Sequence, residues 1–483
     1  MKATLPLVAQ QRPQAVADGP PASATTQRIL DGPILTTLLR MALPNIILVV
    51  VQALSSAVDA FYLGRLGPDV LAGVALVFPV WMLMVTTSAG ALGGGISAAV
   101  ARALGGGRRD DANALVAHSL LLATAVSLLF SAVVLLGGPI LYQAMGGSNA
   151  ALNAAIGYST AIFAGALFVW LVNALASLLR GSGEMLAPAL VIVGGELLHI
   201  VLAPLLIFGL GPFPALGVAG AGVSLVTSYA IRAVVLGGYL LGRRAAVSLP
   251  RNPLKLRADL FWDILRVGLP GAVNTLMTNV NVMAITTLVG SSGVLALAGY
   301  GLAARLEYLQ IPLVFGFGTA LVTMVGTNIG AGQVQRARRV AWIGAGVAAV
   351  ATGSVGLFVA VLPELWLGLF TSEPAVRAVG ETYLRIVGPT YAFFGLGLAL
   401  YFAAQGAGQL TPALLAGFGR LVVAVAGGWL VLNWLHLDLP WLFASIGVAF
   451  VLFGVAQALA VNSAIRGVAT ARPAEPRLAR TRP

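Results

Sequence analysis

The sequence predicts an all-α polytopic membrane protein, with twelve transmembrane helices in two six-helix lobes related by a parallel pseudo-two-fold repeat. Three observations predict it. Of 483 residues, 59% are hydrophobic and 9% charged, against about 25% charged in soluble domains, and the mean hydropathy is +0.94. Apolar runs long enough to cross a bilayer recur along almost the whole length. Such runs must be helices or a closed barrel, and these are continuous rather than alternating, so they are helices. Finally, the two halves carry the same punctuation of Pro, Gly and Arg.

Residues 1–33 are polar and rich in Pro, Ala and Gln, lack the apolar core of a signal peptide, and read as a disordered cytoplasmic tail. The spans follow at 34–63, 70–102, 113–137, 153–178, 186–209 and 216–241, forming an N-lobe over 34–241. A cytoplasmic linker covers 242–259. The C-lobe, 260–464, has spans at 260–289, 294–329, 338–362, 376–404, 411–433 and 440–464, and 465–483 is a second cytoplasmic tail. The second and eighth runs exceed a bilayer thickness, so they tilt, bend near Pro79 and Pro312, or extend beyond the bilayer.

Basic residues set the orientation. With the N-terminus inside, the inner segments hold Arg40, Arg102, Arg108, Arg109, Arg180, the linker cluster Arg243 to Arg266, Arg336, Arg338, Arg339 and the C-terminal arginines. The outer loops keep Arg65, Arg377 and Arg385 beside Asp69, Glu364, Glu373, Glu381 and Asp438. That asymmetry places both termini in the cytoplasm. It also gives the net charge of +12 a topological meaning, so no nucleic-acid partner is expected.

The repeat aligns Leu39-Arg40-Met41-Ala42-Leu43-Pro44 with Leu265-Arg266-Val267-Gly268-Leu269-Pro270. Gly64 and Gly67 align with Gly290 and Gly293, Gly105 and Gly107 with Gly330 and Gly332, and Arg180-Gly181-Ser182-Gly183 with Gln405-Gly406-Ala407-Gly408. Six spans separate equivalent points, so both halves cross in the same direction, a parallel repeat about an axis along the membrane normal.

The chain has no P-loop, no H-E-x-x-H and no G-x-S-x-G, and no enzyme chemistry is expected. With no cysteine there is no disulfide and no thiolate-bound metal, and no cofactor is called for. What stands out is Asp59, a carboxylate inside the first span whose repeat counterpart is Ile285. An embedded charge is costly and tolerated where it titrates or faces a polar cavity. Gln52, Ser55, Ser56 and Asp59 share one helical face, read as a polar stripe pointing into the bundle. Glu196 and His199, three apart on the fifth span, can touch and exchange a proton, or can serve as a structural polar pair. Glu307 and Arg305 diverge on the eighth span and should pair elsewhere. Arg232 and Arg420 should snorkel or bind carbonyls. Aromatic residues within the spans, Tyr308 and Tyr391 among them, would suit a flat organic cation wherever they line a cavity.

The stretches Ala42-Leu43-Pro44, Val58-Asp59 with Gly64-Arg65-Leu66-Gly67, Leu179-Arg180-Gly181-Ser182-Gly183-Glu184 with Pro188, Gly326-Thr327-Asn328-Ile329-Gly330-Ala331-Gly332 and Phe402-Ala403-Ala404-Gln405-Gly406-Ala407-Gly408 together resemble the MATE family, the multidrug and toxic compound extrusion transporters. The resemblance runs from about Leu38 to Asn462. It implies alternating access and drug export against a proton or sodium gradient. It places Asp59 on the family's first-helix coupling carboxylate and Asn173 on a polar residue of the N-lobe cavity. The fifth span departs: where many members read Asn-x-x-x-Asp, this chain has His199 and Ala203. Glu196 and His199 lie about 10 Å and about 6 Å deeper than position 203 along the helix axis, so neither is an isosteric substitute. Where other members carry acids on the seventh and tenth helices, this chain offers Asn274, Asn279, Asn281 and Tyr391. With so few hard ligands for sodium, proton coupling is favoured.

The expectation is a bacterial inner-membrane antiporter, a monomer, that exports amphipathic organic cations in exchange for protons. Asp59, Glu196 and His199 would couple the cation, and Gln52, Ser55, Ser56, Asn173, Asn274, Asn279, Tyr308 and Tyr391 would line the cavity. The alternative is a flippase for a lipid-linked precursor, disfavoured by the span count and the few embedded basic residues.

Overall fold

The computed structural model describes residues 23–242, 246–248 and 255–470, apart from the side chains of residues 308, 312, 466 and 468–470. Among the described residues every regular element is helical. Eleven helices are long and apolar enough to cross a membrane, and a bent pair makes twelve. In order the spans are Ile34–Gly64, Pro68–Gly105, Arg109–Ala144, the pair Asn149–Ala164 and Ala166–Gly181 bent by 48°, Leu186–Phe208, Val218–Leu241, Ala258–Gly290, Val294–Gly330, Val334–Val361, Pro374–Ala407, Thr411–Trp434 and Leu439–Ile465. The second span contains a π-helical segment, Thr87–Leu92, one turn beyond Met84 and two beyond Pro79. The equivalent turns that open the second and eighth spans use Gly67 at φ +112° and Gly293 at φ +108°, a backbone region closed to most side chains.

The ends of the spans alternate, so the arginine-rich ends gather on the face where the described residues begin and end, the terminus-bearing face. One apolar core is shared by the two halves, and it lies at this end. Leu38, Met41, Ala42 and Ala98 of the first half pack with Val267, Phe317, Leu321, Leu400 and Ala413 of the second. Of the other large cores, one is built on Tyr142, Phe163 and Trp170 of the first half and takes in Leu260 and Ile264 from the start of the second, and one lies within the second half around Tyr383, Tyr391 and Phe443.

The halves approach closely at a pair of repeat-equivalent glycines. A Cβ on Gly105 would lie 2.0 Å from the Thr327 carbonyl oxygen, and one on Gly330 would lie 2.2 Å from the Arg102 carbonyl oxygen. Each glycine admits the backbone of the opposite half. Arg102 ties this crossing down through bonds to the Gly406 carbonyl (3.2 Å) and to Asp263 (3.1 Å), and Arg266 pairs with the same carboxylate. The seam is closed on the terminus-bearing face.

Two expectations need correction. Residues 24–31 are not disordered: Ala24–Asp31 is a helix capped by the Ser23 hydroxyl. Ile29 is buried in the shared core, and Arg336 binds the Ile29 and Gly32 carbonyls. One apolar anchor, with Arg336 and Asn328 donating to the Ile29 carbonyl, docks a segment whose composition looks unstructured; residues 1–22 lie outside the described residues. Nor does Arg232 snorkel. It is 1% exposed, because an acid buried beside it supplies the partner that water would have been.

The linker is partly described. The Ser248 N–H donates to Asn113 (2.8 Å) and the Arg257 N–H to His118 Nε2 (3.0 Å). The Arg257 guanidinium is held above its ordinary value by hydrogen bonds to Asp259 and Asp111, and so stays charged. The linker is thereby pinned along the third span.

Candidate functional site

Asp59 sits five residues before the end of the first span, toward the face away from the termini. Its Oδ2 lies 2.9 Å from His199 Nε2 on the fifth span. The other ring nitrogen, Nδ1, lies 3.1 Å from Ser224 Oγ on the sixth span. Ser224 in turn donates to the Ala221 carbonyl at 2.8 Å. Three helices thus thread one hydrogen-bonded row: carboxylate, imidazole, hydroxyl. The imidazole is buried, whereas the Asp59 side chain keeps 26% of its surface, so the carboxylate is the more open end of the row.

His199 therefore does reach Asp59, despite lying one turn deeper than position 203. Ala203 is fully buried against Leu63 and Ala221. With so small a residue there, the longer imidazole reaches the first span. The expected contact between Glu196 and His199 is not made. Glu196 faces Arg232, with Nη1 donating at 3.0 Å, and both side chains are buried. A permanent cation is the stronger partner for a buried carboxylate, which turns Glu196 away from the imidazole. Arg232 also lies over the Tyr229 ring at 4.5 Å. The two pairs meet on the fifth span, where Glu196 and His199 lie about one turn apart.

The polar stripe on the first span divides. Ser55 is buried with its hydroxyl unpartnered, as is Asp59 Oδ1; Gln52 is half-buried, and Ser56 is exposed rather than pointing into the bundle. Asn173 is buried and donates to Ser88 of the π-helical segment at 2.8 Å, so it ties the fourth span to the second. Asn279 is exposed and donates to the Thr275 carbonyl one turn back, and Asn274 lies half-buried against the Tyr401 hydroxyl. Tyr391 is fully buried in the second half's core, beside Glu307, which takes a hydrogen bond from Tyr383. Arg305 instead caps the Phe370 ring at 5.5 Å. The side chain of Tyr308 lies outside the described residues. Between the halves, at the closed seam, a cavity of about 20 Å³ is lined by Gly90, Ser97, Ser177, Arg180, Thr319 and Gln405.

Reading the sequence alone missed Ser224, one of several hydroxyls on the sixth span with nothing local to single it out. It also missed the Glu196–Arg232 pair, although a lone acid on the fifth span and a lone base on the sixth were a usable signal. Among the described residues no cluster of His, Cys, Asp and Glu could hold a metal ion.

Comparison with known proteins bears on this arrangement directly. The MatE family profile matches the chain twice, over residues 44–205 and 270–430, which is the internal repeat seen as two copies of one unit. A FAD transporter of Shewanella oneidensis is 28% identical, covering 78% of this chain and 82% of the relative. The Probable multidrug resistance protein NorM of Thermotoga maritima is 26% identical over 79% of this chain and 82% of its own. A MOP superfamily transporter from Pyrococcus furiosus, described as having reverse polarity of its binding pocket, superposes with a TM-score of 0.85 at 25% identity, over 93% of this chain and 99% of that one. Two copies of the MatE unit on a twelve-span, all-helical scaffold make this chain a member of the MATE family of membrane transporters.

Proposed function

We propose that this protein exports amphipathic organic cations by alternating access, in exchange for protons, and that the Asp59–His199 pair binds the coupling proton. The observation that carries the reading is the pair itself. A carboxylate and an imidazole 2.9 Å apart can share one proton between them, and gain or lose it as a unit. They sit in one half only, since the counterpart of Asp59 is Ile285, 3% exposed.

In this reading the protein lies in the bacterial inner membrane with both termini cytoplasmic. The closed seam at Gly105 and Gly330 is then the inner gate, and the structure is the outward-facing state. A proton arriving from outside neutralises Asp59 and releases substrate, and its later loss to the cytoplasm resets the site. The two lobes move about the seam, and the chain works as a monomer. Glu196 with Arg232 holds the fifth and sixth spans together and takes no part in proton exchange.

Dye efflux in proteoliposomes under an imposed proton or sodium gradient tests this. Wild type should respond to the proton gradient, and Asp59→Asn should abolish that response. Proton-driven efflux by Asp59→Asn, or efflux driven by sodium alone, would overturn the coupling assignment.

A second reading of the substrate has its own support. A relative is a FAD transporter, and the seam holds three arginines, Arg102, Arg180 and Arg266, of which Arg180 has no acidic partner among the described residues. An anionic dinucleotide would meet these residues when the inner gate opens. The same proteoliposomes loaded with FAD separate the two substrate classes.

A further inference from the structure

We infer that Ser224 is a positioning residue that fixes the tautomer of His199 and thereby sets how tightly the Asp59–His199 pair holds its proton. The inference rests on the proton-exchange reading above. It begins from the three distances in the row. A backbone carbonyl can only accept, so the 2.8 Å contact from Ser224 Oγ to the Ala221 carbonyl uses the hydroxyl proton. The Ser224 oxygen can then only accept from His199 Nδ1, 3.1 Å away, and Nδ1 must carry hydrogen. Nε2 is left to face Asp59 Oδ2 at 2.9 Å.

Two acceptors do not approach to that distance without a proton between them. With Nδ1 already protonated, the proton between Nε2 and Oδ2 is the exchangeable one. Loading adds it at the Asp59 end, the more open end of the row, to lie between the carboxylate and Nε2. Unloading returns the same proton by the same route. Without it, the Nε2 lone pair would face a carboxylate, an arrangement relieved only by moving hydrogen from Nδ1 to Nε2, after which the Ser224 hydroxyl must turn to donate to Nδ1 and give up its bond to the Ala221 carbonyl. Ser224 therefore disfavours the empty state and raises the proton affinity of the pair.

The surrounding groups leave this role to Ser224. Tyr158 on the fourth span faces Asp59, and Tyr62 on the first packs on Phe208. Glu196 on the fifth span is engaged by Arg232 of the sixth, which also engages Tyr229. Among the described residues only Ser224 lies within hydrogen-bond distance of Nδ1.

The first measurement needs no variant. The chain has three histidines, so ring ¹⁵N spectra of histidine-labelled protein, with His199→Gln to assign the signal, report the tautomer directly. Wild type should show Nδ1–H in the neutral ring, and an Nε2–H tautomer would overturn the inference. The second is the pH profile of proton-driven efflux. Ser224→Ala should lower proton affinity about tenfold, moving the midpoint about one pH unit toward acid, while Ser224→Thr, which keeps the hydroxyl, should restore the wild-type midpoint. An unmoved midpoint in Ser224→Ala, in a background where Asp59→Asn still abolishes coupling, overturns the role of Ser224 and leaves the role of Asp59 standing. Coupling that survives Asp59→Asn removes both.

Discussion

Placing a methyl group on Gly330 should drive the transporter toward the state in which its terminus-bearing face is open. The new Cβ would lie 2.2 Å from the Arg102 carbonyl oxygen and 2.9 Å from the Gly106 nitrogen. Ordinary contact begins near 3.4 Å, so the helices must part by about 1.2 Å, the difference between 3.4 and 2.2 Å. The clashing atoms are backbone and cannot rotate away. Overpacking of this kind costs about 1–3 kcal/mol. The cost is borne by the closed seam alone, because parting the seam removes the contact. The equilibrium should therefore shift about 5- to 150-fold toward the open-seam state. The chain contains no cysteine, so Ser177→Cys, at a residue 2% exposed that lines the seam cavity, is a clean reporter. In inside-out vesicles, Gly330→Ala should raise its labelling rate by a membrane-impermeant maleimide within that range. Gly301→Ala is the control, since nothing lies within 4 Å of its added methyl. A labelling rate for Gly330→Ala equal to that of Gly301→Ala would refute the assignment of this crossing as the gate.

Two further predictions address stability. Glu196→Gln leaves Arg232 without its counter-charge and should cost about 3–5 kcal/mol; replacing both residues with Leu should recover most of that loss, read as thermal denaturation midpoints of the purified protein. If the double variant melts no higher than the single, the buried pair is not balanced as described. Ile29→Ala removes an anchor that is 2% exposed and should cost about 2–5 kcal/mol, confined to the docking of Ala24–Asp31. Limited proteolysis should then cut between residues 23 and 33 faster than in wild type, with the melting of the spans unchanged.

The span pattern was legible because hydropathy is additive along a helix and the bilayer sets one length for all. The repeat was legible for a similar reason: Gly67 and Gly293 occupy the same left-handed turn, and Gly105 and Gly330 the same helix crossing, so each pair is held by one local requirement. Asp59 stood out because a charge in an apolar run is conspicuous in one dimension. Its partner did not. Spacing along a single helix tells which residues can touch each other, and by that rule Glu196 and His199 were neighbours. It says nothing of how two side chains choose among partners on adjacent helices. Arg232 took Glu196, His199 crossed to Asp59, and Ser224 closed the row. The short helix at 24–31 was missed because its stability comes from Arg336 and Asn328, some 300 residues downstream.

The crossing at Gly105 and Gly330 has the geometry of a contact between two identical subunits: residue 105 meets 327 while 330 meets 102, the reciprocity of an isologous interface. Joining such subunits in one chain keeps the interface but lifts the requirement that both sides match elsewhere. A surface that touches its own counterpart is constrained twice, once from each side, and the glycines there remain paired. A residue remote from the axis is constrained once. Asp59 and Ile285 are such a case, one charged and one apolar at equivalent positions. A fused dimer can therefore move as a symmetric machine and still be driven from one side.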